Sequence, residues 1–344
     1  MKKTPLIALA TGAALLLALT GCGTTQPTAS TGSDAPAAAT SEDCEADTTA
    51  TSTDPVTLTD AFGRTIELDK PAERIAVLEW QQVEDALTLC VAPIAVADAE
   101  GFGAWVKAEE LPDDVIDVGT RQEPNLDALF AAEPDLVIVE AYTRDDAIIG
   151  QLEAYGVPVL ATLGADAADP IAQMLETFDL IAQATGREER ADVVTEEFET
   201  HLAEAKDEVA NSDPATDSFV FFDGWIDGSN VSLRPFGQGS LVGEIGEGLG
   251  LTNAWTGDVD PAYGLGQTDI EGMTAVGDAN LIYSGTREED GSIFMDAVEG
   301  NAVWDSLPAV KDERVRAFPE GVWMFGGPRS AQQIIDAYLE VLSK

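Results

Sequence analysis

Arg121 stands in the stretch GTRQEPNLDAL (119–129), a loop followed by a helix start, in a 344-residue chain of formal net charge -45. A guanidinium presents several N–H donors in a fixed fork and does not deprotonate, so it suits oxygen-rich acceptors. With 63 acidic residues against 18 basic ones, an arginine kept for another purpose needs a reason. The plain alternative is a surface ion pair with Glu123, worth about 0–1 kcal/mol. His201 is the only histidine, and it lies beside the apolar stripe of a long helix, so a general base of that type is not expected. No G-x-S-x-G, H-E-x-x-H or P-loop occurs, and the cysteines lack metal spacing. The shortage of histidine also argues against a site for bare zinc or manganese. Binding without chemistry, rather than an enzyme, is the class these residues favour.

The elements that must position such a site alternate in type. RIAVLE (74–79), PIAVA (93–97), DLVIVEA (135–141) and VPVLAT (157–162) read as buried strands, and QQVEDALTL, NLDALFAAE and DDAIIGQLEAYG between them read as helices. This is the α/β class with mainly parallel sheets. Between Arg187 and Asn211 the pattern changes. Ala191, Val194, Phe198, Leu202, Ala205 and Val209 recur at steps of three and four, giving one long helix with an apolar stripe. Its place at mid-chain suggests a connector, about 36 Å long at 1.5 Å per residue. Afterwards SFVFFDGW (218–225), NLIYSG (280–285) and RVRAFP (314–319) resume as strands, with helical patterns at LVGEIGEGLG, IEGMTAVGD and PRSAQQIIDAYLEVLS. NLDALFAAEPDLVIV and DIEGMTAVGDANLIY echo one another weakly. Two similar lobes joined by a single rigid helix, with a cleft between their facing edges, is the economical architecture.

The N-terminus sets the compartment. MKK, the apolar PLIALATGAALLLAL and then LTGC form a secretory signal too short and wrongly flanked to span a membrane. Residues 1–21 are therefore read as signal peptide. Residues 22–55 are rich in Thr, Ser, Ala, Pro and acid without a large apolar residue, and read as a disordered tether. The folded chain divides into an N-terminal lobe (56–185), an interlobe helix (186–211) and a C-terminal lobe (212–344). Cys44 and Cys90 are either a disulfide, permitted in an oxidising compartment, or a stray and a buried thiol.

LTGC resembles the lipobox of bacterial lipoproteins, which implies a lipid on Cys22 and anchoring at the outer face of the cell membrane, of the Gram-positive type. The stretches PAERIAVLEW, VADAEGFGAWV, DVGTRQEPNLDALFAAEPDLVI, GLTNAWTG and VWMFGGPRSA, in this order from about Val56 to the end, resemble the iron-siderophore substrate-binding proteins of ABC importers, above all the ferric hydroxamate binders. The resemblance implies two lobes bridged by a long helix, the helical-backbone class III arrangement. It implies that Arg121 of the TR-x-EPN motif contacts the ligand, with Tyr142 at the mouth of the first lobe and Trp255 and Trp323 in the second. Phe325 stands where the hydroxamate binders have a second tyrosine. Trp80, Trp105, Trp225 and Arg234 are further cleft candidates, and Arg144 a weaker one. Iron(III) would be held only through its siderophore, with no cofactor and no direct metal ligand.

The resemblance also implies an ABC permease as partner, met by Glu271 of TDIEGM on one lobe and by Asp145 or Asp146 of TRDDA on the other. For all three the alternative is stabilisation of a helix N-terminus. No nucleic-acid partner and a monomer are expected. One matched arginine among aromatics favours a neutral or cationic hydroxamate, since anionic catecholates and citrate complexes call for several converging cations. Two other functions stay open: the same fold binding cobalamin or haem, and a cell-surface adhesion or stalk protein.

Overall fold

The computed structural model describes residues 42–212, 216–227, 230–287, 293–298 and 300–343. The signal segment 1–21 and Cys22 lie outside those residues. After a short helix α1 (Glu42–Ala46) and an antiparallel hairpin β1 (Val56–Thr59) and β2 (Thr65–Leu68), the first lobe follows a βα alternation. Its elements are β3 (Ile75–Val77), α2 (Trp80–Thr88), β4 (Ala95–Val96), α3 (Ala99–Trp105), β5 (Ile116–Asp117), α4 (Leu126–Ala131), β6 (Leu136–Ala141), α5 (Ala147–Glu153) and β7 (Val159–Leu163). The sheet is parallel, in the order β5-β4-β3-β6-β7. Ile75, Val77, Leu136, Ile138 and Leu160 are sealed on one face, Ala76, Val137, Val139 and Ala161 on the other. Burial on both faces is why these strands read as unbroken apolar runs.

Two helices cross between the lobes. α6 (Pro170–Thr185) starts with Met174 in the second lobe's core and ends with Phe178 and Ile181 in the first. α7 (Glu188–Asn211) returns, with Ala191 and Val194 in the first core and Phe198, Ala205 and Val209 in the second. The stripe of three- and four-residue steps is thus shared between two cores, which is what makes α7 a connector. Gly186 turns the corner at φ +70; a Cβ there would meet the Ser52 carbonyl at 2.8 Å.

The second lobe carries β8 (Ser218–Asp227), β9 (Asn230–Phe236), α8 (Leu241–Gly248), β10 (Thr252–Asn253), β11 (Asn280–Tyr283), α9 (Pro308–Lys311), β12 (Val315–Ala317) and α10 (Pro328–Leu342). Its parallel order is β10-β8-β11-β12, with β9 antiparallel to β8. The helical pattern of IEGMTAVGD forms only a 3-10 turn, Gly272–Val276.

The tether read over 22–55 ends earlier than its composition suggests. Cys44 is disulfide-bonded to Cys90. Arg187 donates to the Asp47 carboxylate, to Thr51 Oγ1 at 2.8 Å and to the Leu89 carbonyl at 2.8 Å. The Ser52 N–H reaches the Gly186 carbonyl at 2.8 Å. A covalent link and charge-assisted bonds fix residues 44–52 where apolar burial is lacking.

Candidate functional site

In a parallel sheet of order β5-β4-β3-β6-β7 the direction of winding reverses between β3 and β6, and a crevice opens outside the carboxyl ends of the strands at that point. Glu79 follows β3, Glu140 and Tyr142 lie at the end of β6, Gly164 follows β7, and Arg121 follows β5. With Gln81, Gln122, Arg234, Tyr263, Leu265, Trp323 and Phe325 these residues line a cavity of about 270 Å³ between the lobes.

Arg121 is delivered by a tight loop. Gly119, at φ +93, bridges to Pro124, and the Asn125 N–H bonds the Val118 carbonyl at 2.6 Å before Asn125 caps α4 through the Ala128 N–H. The guanidinium does not pair with Glu123. It donates to Glu79 at 2.5 Å, lies 3.7 Å from the centre of the Trp80 ring, and has Asp98 within 3.7 Å. Glu79 is also the N-cap of α2, accepting from the Trp80 N–H at 2.8 Å, and the Trp80 indole donates to the Asp98 carbonyl at 3.2 Å. Asp98 holds a left-handed backbone (φ 59) to cap α3 while facing Arg121. Trp80 is buried, a platform under Arg121 rather than a wall of the cavity.

The second lobe supplies a matching pair. Asp223 and Arg234 are cross-strand partners on β8 and β9, joined at 2.9 and 2.5 Å, and Arg234 lies 5.6 Å from the ring centres of Phe236 and Phe325. Burial raises the Asp223 carboxyl, and Arg234 works against that rise. Between β12 and α10 the side chains alternate: Val322 and Met324 enter the lobe's core, while Trp323 and Phe325 face the cavity. Trp323 meets Trp80 edge-on at 5.1 Å, Trp105 at 6.1 Å and Phe325 at 5.2 Å, so its ring also packs on the first lobe.

Sequence reasoning missed Glu79, Glu140 and Tyr263. The Tyr263 hydroxyl donates to Glu140 at 2.9 Å across the lobes. Burial raises the Glu140 carboxyl, the charge of Glu79 raises it further, and hydrogen bonds from Tyr263 and Tyr142 oppose the rise. Burial and the neighbouring Glu140 push both phenols upward, so they stay protonated donors. Gly164 is bare backbone against this pair: a Cβ there would sit 2.4 Å from the Glu140 carboxylate and from the Tyr263 hydroxyl.

Other expected residues fall elsewhere. Trp255, expected in the second-lobe ligand wall, is 8% exposed in that lobe's core and outside the cavity lining, with Gly237, Gly257 and Gly266 leaving room for its ring to close inward. Trp105 is half-buried behind Trp323, and Trp225 is exposed on β8 away from the cavity. Arg144 donates to the Phe62 carbonyl at 3.3 Å. Asp145 and Glu271 are exposed, Glu271 directly before its 3-10 turn. Asp146, at the start of α5, accepts from the Tyr142 N–H at 3.0 Å and so holds the loop that carries Tyr142.

Residues 75–321 match the model of a family described as periplasmic binding protein. The iron(3+)-hydroxamate-binding protein FhuD of Escherichia coli is 29% identical over 76% of this chain and 84% of its own. The Fe(3+)-citrate-binding protein YfmC of Bacillus subtilis is 26% identical over 82% of this chain and 84% of its own. Among solved structures, the Fe3+-Desferal-bound siderophore binding protein FhuD from Vibrio cholerae superposes with a TM-score of 0.66 at 24% identity, covering 78% of this chain and 97% of that one.

Proposed function

The chain belongs to the periplasmic binding protein family, and we propose that it captures an iron(III)-siderophore complex of hydroxamate type in the interlobe cavity and delivers it to an ABC permease. The pairing of the cavity's arginines carries this reading. Arg121 and Arg234 are each matched by a carboxylate of their own lobe, Glu79 and Asp223, and aromatic rings make up much of the remaining wall. An anionic catecholate or citrate complex would have to compete with those carboxylates for both cations. A neutral or cationic complex, with hydroxamate oxygens that accept hydrogen bonds, need only use the donors that remain on each five-donor fork. Its carbon skeleton would pack on Trp323, Phe325 and the Tyr142 ring.

The LTGC sequence supports a lipid anchor on Cys22, which would keep the loaded protein beside its permease. Asp145 and Glu271, exposed on separate lobes, are the acidic residues we assign to the permease contact. Iron enters as cargo, wrapped by its ligand.

Titration with a ferric tris-hydroxamate, a ferric tris-catecholate, ferric citrate, haem and cobalamin, read by tryptophan quenching, tests the reading. The hydroxamate should bind at least about a hundredfold more tightly than the others, roughly 3 kcal/mol. Tighter binding of citrate or catecholate overturns it.

A further inference from the structure

We propose that Glu140 is a specificity-determining residue that selects a positively charged ligand, its carboxylate receiving a cationic group such as a protonated primary amine on the siderophore's arm. This rests on the hydroxamate reading above and names the ligand's charge within it.

The charges around the cavity do not cancel. Arg121 is matched by Glu79, with Asp98 at 3.7 Å on its other side, and Arg234 by Asp223. Glu140 then stands as a further cavity-lining carboxylate whose hydrogen-bonded partner is a phenol, Tyr263 at 2.9 Å, with Tyr142 nearby, while Arg121, the cation that acts on it through space, is already paired to Glu79. A phenol supplies a hydrogen bond and no countercharge. A partly buried carboxylate beside a second carboxylate carries a desolvation cost that neutral donors offset only in part. An opposite charge brought by the ligand would meet that need.

The placement is also built. Gly164 leaves open the space that a Cβ would take from Glu140 and Tyr263, and the β6 strand that carries Glu140 is paired to β7 on one side and β3 on the other. Because Tyr263 comes from the second lobe, the carboxylate lies where a ligand must touch both lobes.

Two ferric complexes decide the matter: a linear tris-hydroxamate with a free terminal amine and its N-acetyl derivative. They share the iron centre and differ by one positive charge. The wild-type protein should bind the amine form about tenfold to a hundredfold more tightly, the range of one charge-assisted hydrogen bond. Glu140→Gln keeps the side-chain volume and an acceptor for Tyr263, and should bring that ratio close to one. A wild-type ratio near one overturns the proposal without any variant, as does a preference that survives Glu140→Gln in a protein that melts like the wild type. A merely structural Glu140 would shift both affinities together and leave the ratio in place. If neither complex binds, the hydroxamate reading itself fails, and this inference with it; if both bind equally, only this inference fails.

Discussion

The Tyr263 hydroxyl and the Glu140 carboxylate, 123 residues apart in the chain, are joined by a 2.9 Å hydrogen bond that crosses from one lobe to the other inside the cavity. Removing the donor leaves a partly buried acceptor without its partner, which costs about 0.5–2 kcal/mol. Tyr263→Phe should therefore lower stability by an amount in that range. A thermodynamic cycle with Glu140→Ala, which removes the acceptor altogether, read by chemical denaturation, should give a coupling of about 0.5–2 kcal/mol. Additive effects would mean that the bond contributes nothing to holding the lobes together.

This bond also marks where the sequence stopped being readable. Arg121 and Trp323 were visible because each sits in a short motif, whereas Glu140 lies inside the apolar strand LVIVEA and Tyr263 in a loop, with nothing local to connect them. Glycine spacing was a usable signal that went unread. Gly164 makes room for the Glu140–Tyr263 contact, and Gly237, Gly257 and Gly266 around Trp255 mark a ring turned into the core. The connector helix was legible because its apolar stripe continues unbroken through two cores. α6 was not, since its buried face carries Gln173, Thr177 and Thr185 among the apolar residues and so breaks the apolar pattern in the sequence.

Permease contact can be separated from ligand capture, but not with every acidic residue in the TRDDA stretch. Asp146 accepts from the Tyr142 N–H at 3.0 Å, so charge reversal there should disturb the cavity mouth and weaken ligand binding. Asp145→Lys with Glu271→Lys should leave siderophore affinity within about twofold while uptake by cells falls, since exposed charges act mainly on association with a partner. Equal losses of affinity and uptake would remove these two residues from the permease surface.

α6 and α7 both run between the lobes and pack into both cores, an arrangement that resists hinge opening. Loading should produce only a small rocking motion. X-ray scattering profiles of the apo and ferric-hydroxamate forms should nearly superpose; a marked compaction on loading would contradict the rigidity assigned to the paired helices.

Arg121→Ala removes a ligand donor and at the same time strands Glu79, whose carboxylate accepts from it at 2.5 Å. Ferric hydroxamate affinity should fall about tenfold to a hundredfold, as for loss of a charge-assisted bond. Arg121→Lys should recover part of this, because an ammonium cannot both satisfy Glu79 and keep the planar stack on Trp80. Isothermal titration of the three proteins with one ferric hydroxamate distinguishes this from a purely structural arginine, which would alter melting and leave the dissociation constant alone.

Glu84 and Asp85 on α2 lie where the first lobe meets the N-terminus of α10, and neither enters the cavity. Ser330 donates to Glu84 from its N–H at 2.8 Å and its hydroxyl at 2.6 Å, while Asp85 is buried against Gly327, where a Cβ would come within 2.0 Å of its carboxylate. Burial pushes the Glu84 carboxyl up to about 7 despite those hydrogen bonds, and burial next to Glu84 raises Asp85 well above the carboxylate range. In the unfolded chain a glutamate titrates near 4.3. The native state therefore binds this proton more tightly than the unfolded state. The stability it contributes is fully present below about pH 4 and is lost as the pH rises through about 7, an effect on the order of 3–4 kcal/mol. Glu84→Gln keeps an acceptor for Ser330 and has no proton to lose, so its melting temperature should fall less than that of the wild type between pH 4.5 and 7.5. Melting curves for both proteins across that range, at constant ionic strength, provide the measurement. Parallel curves would show that Glu84 carries the same charge folded and unfolded, and the interlobe contact at Ser330 would then impose no pH dependence.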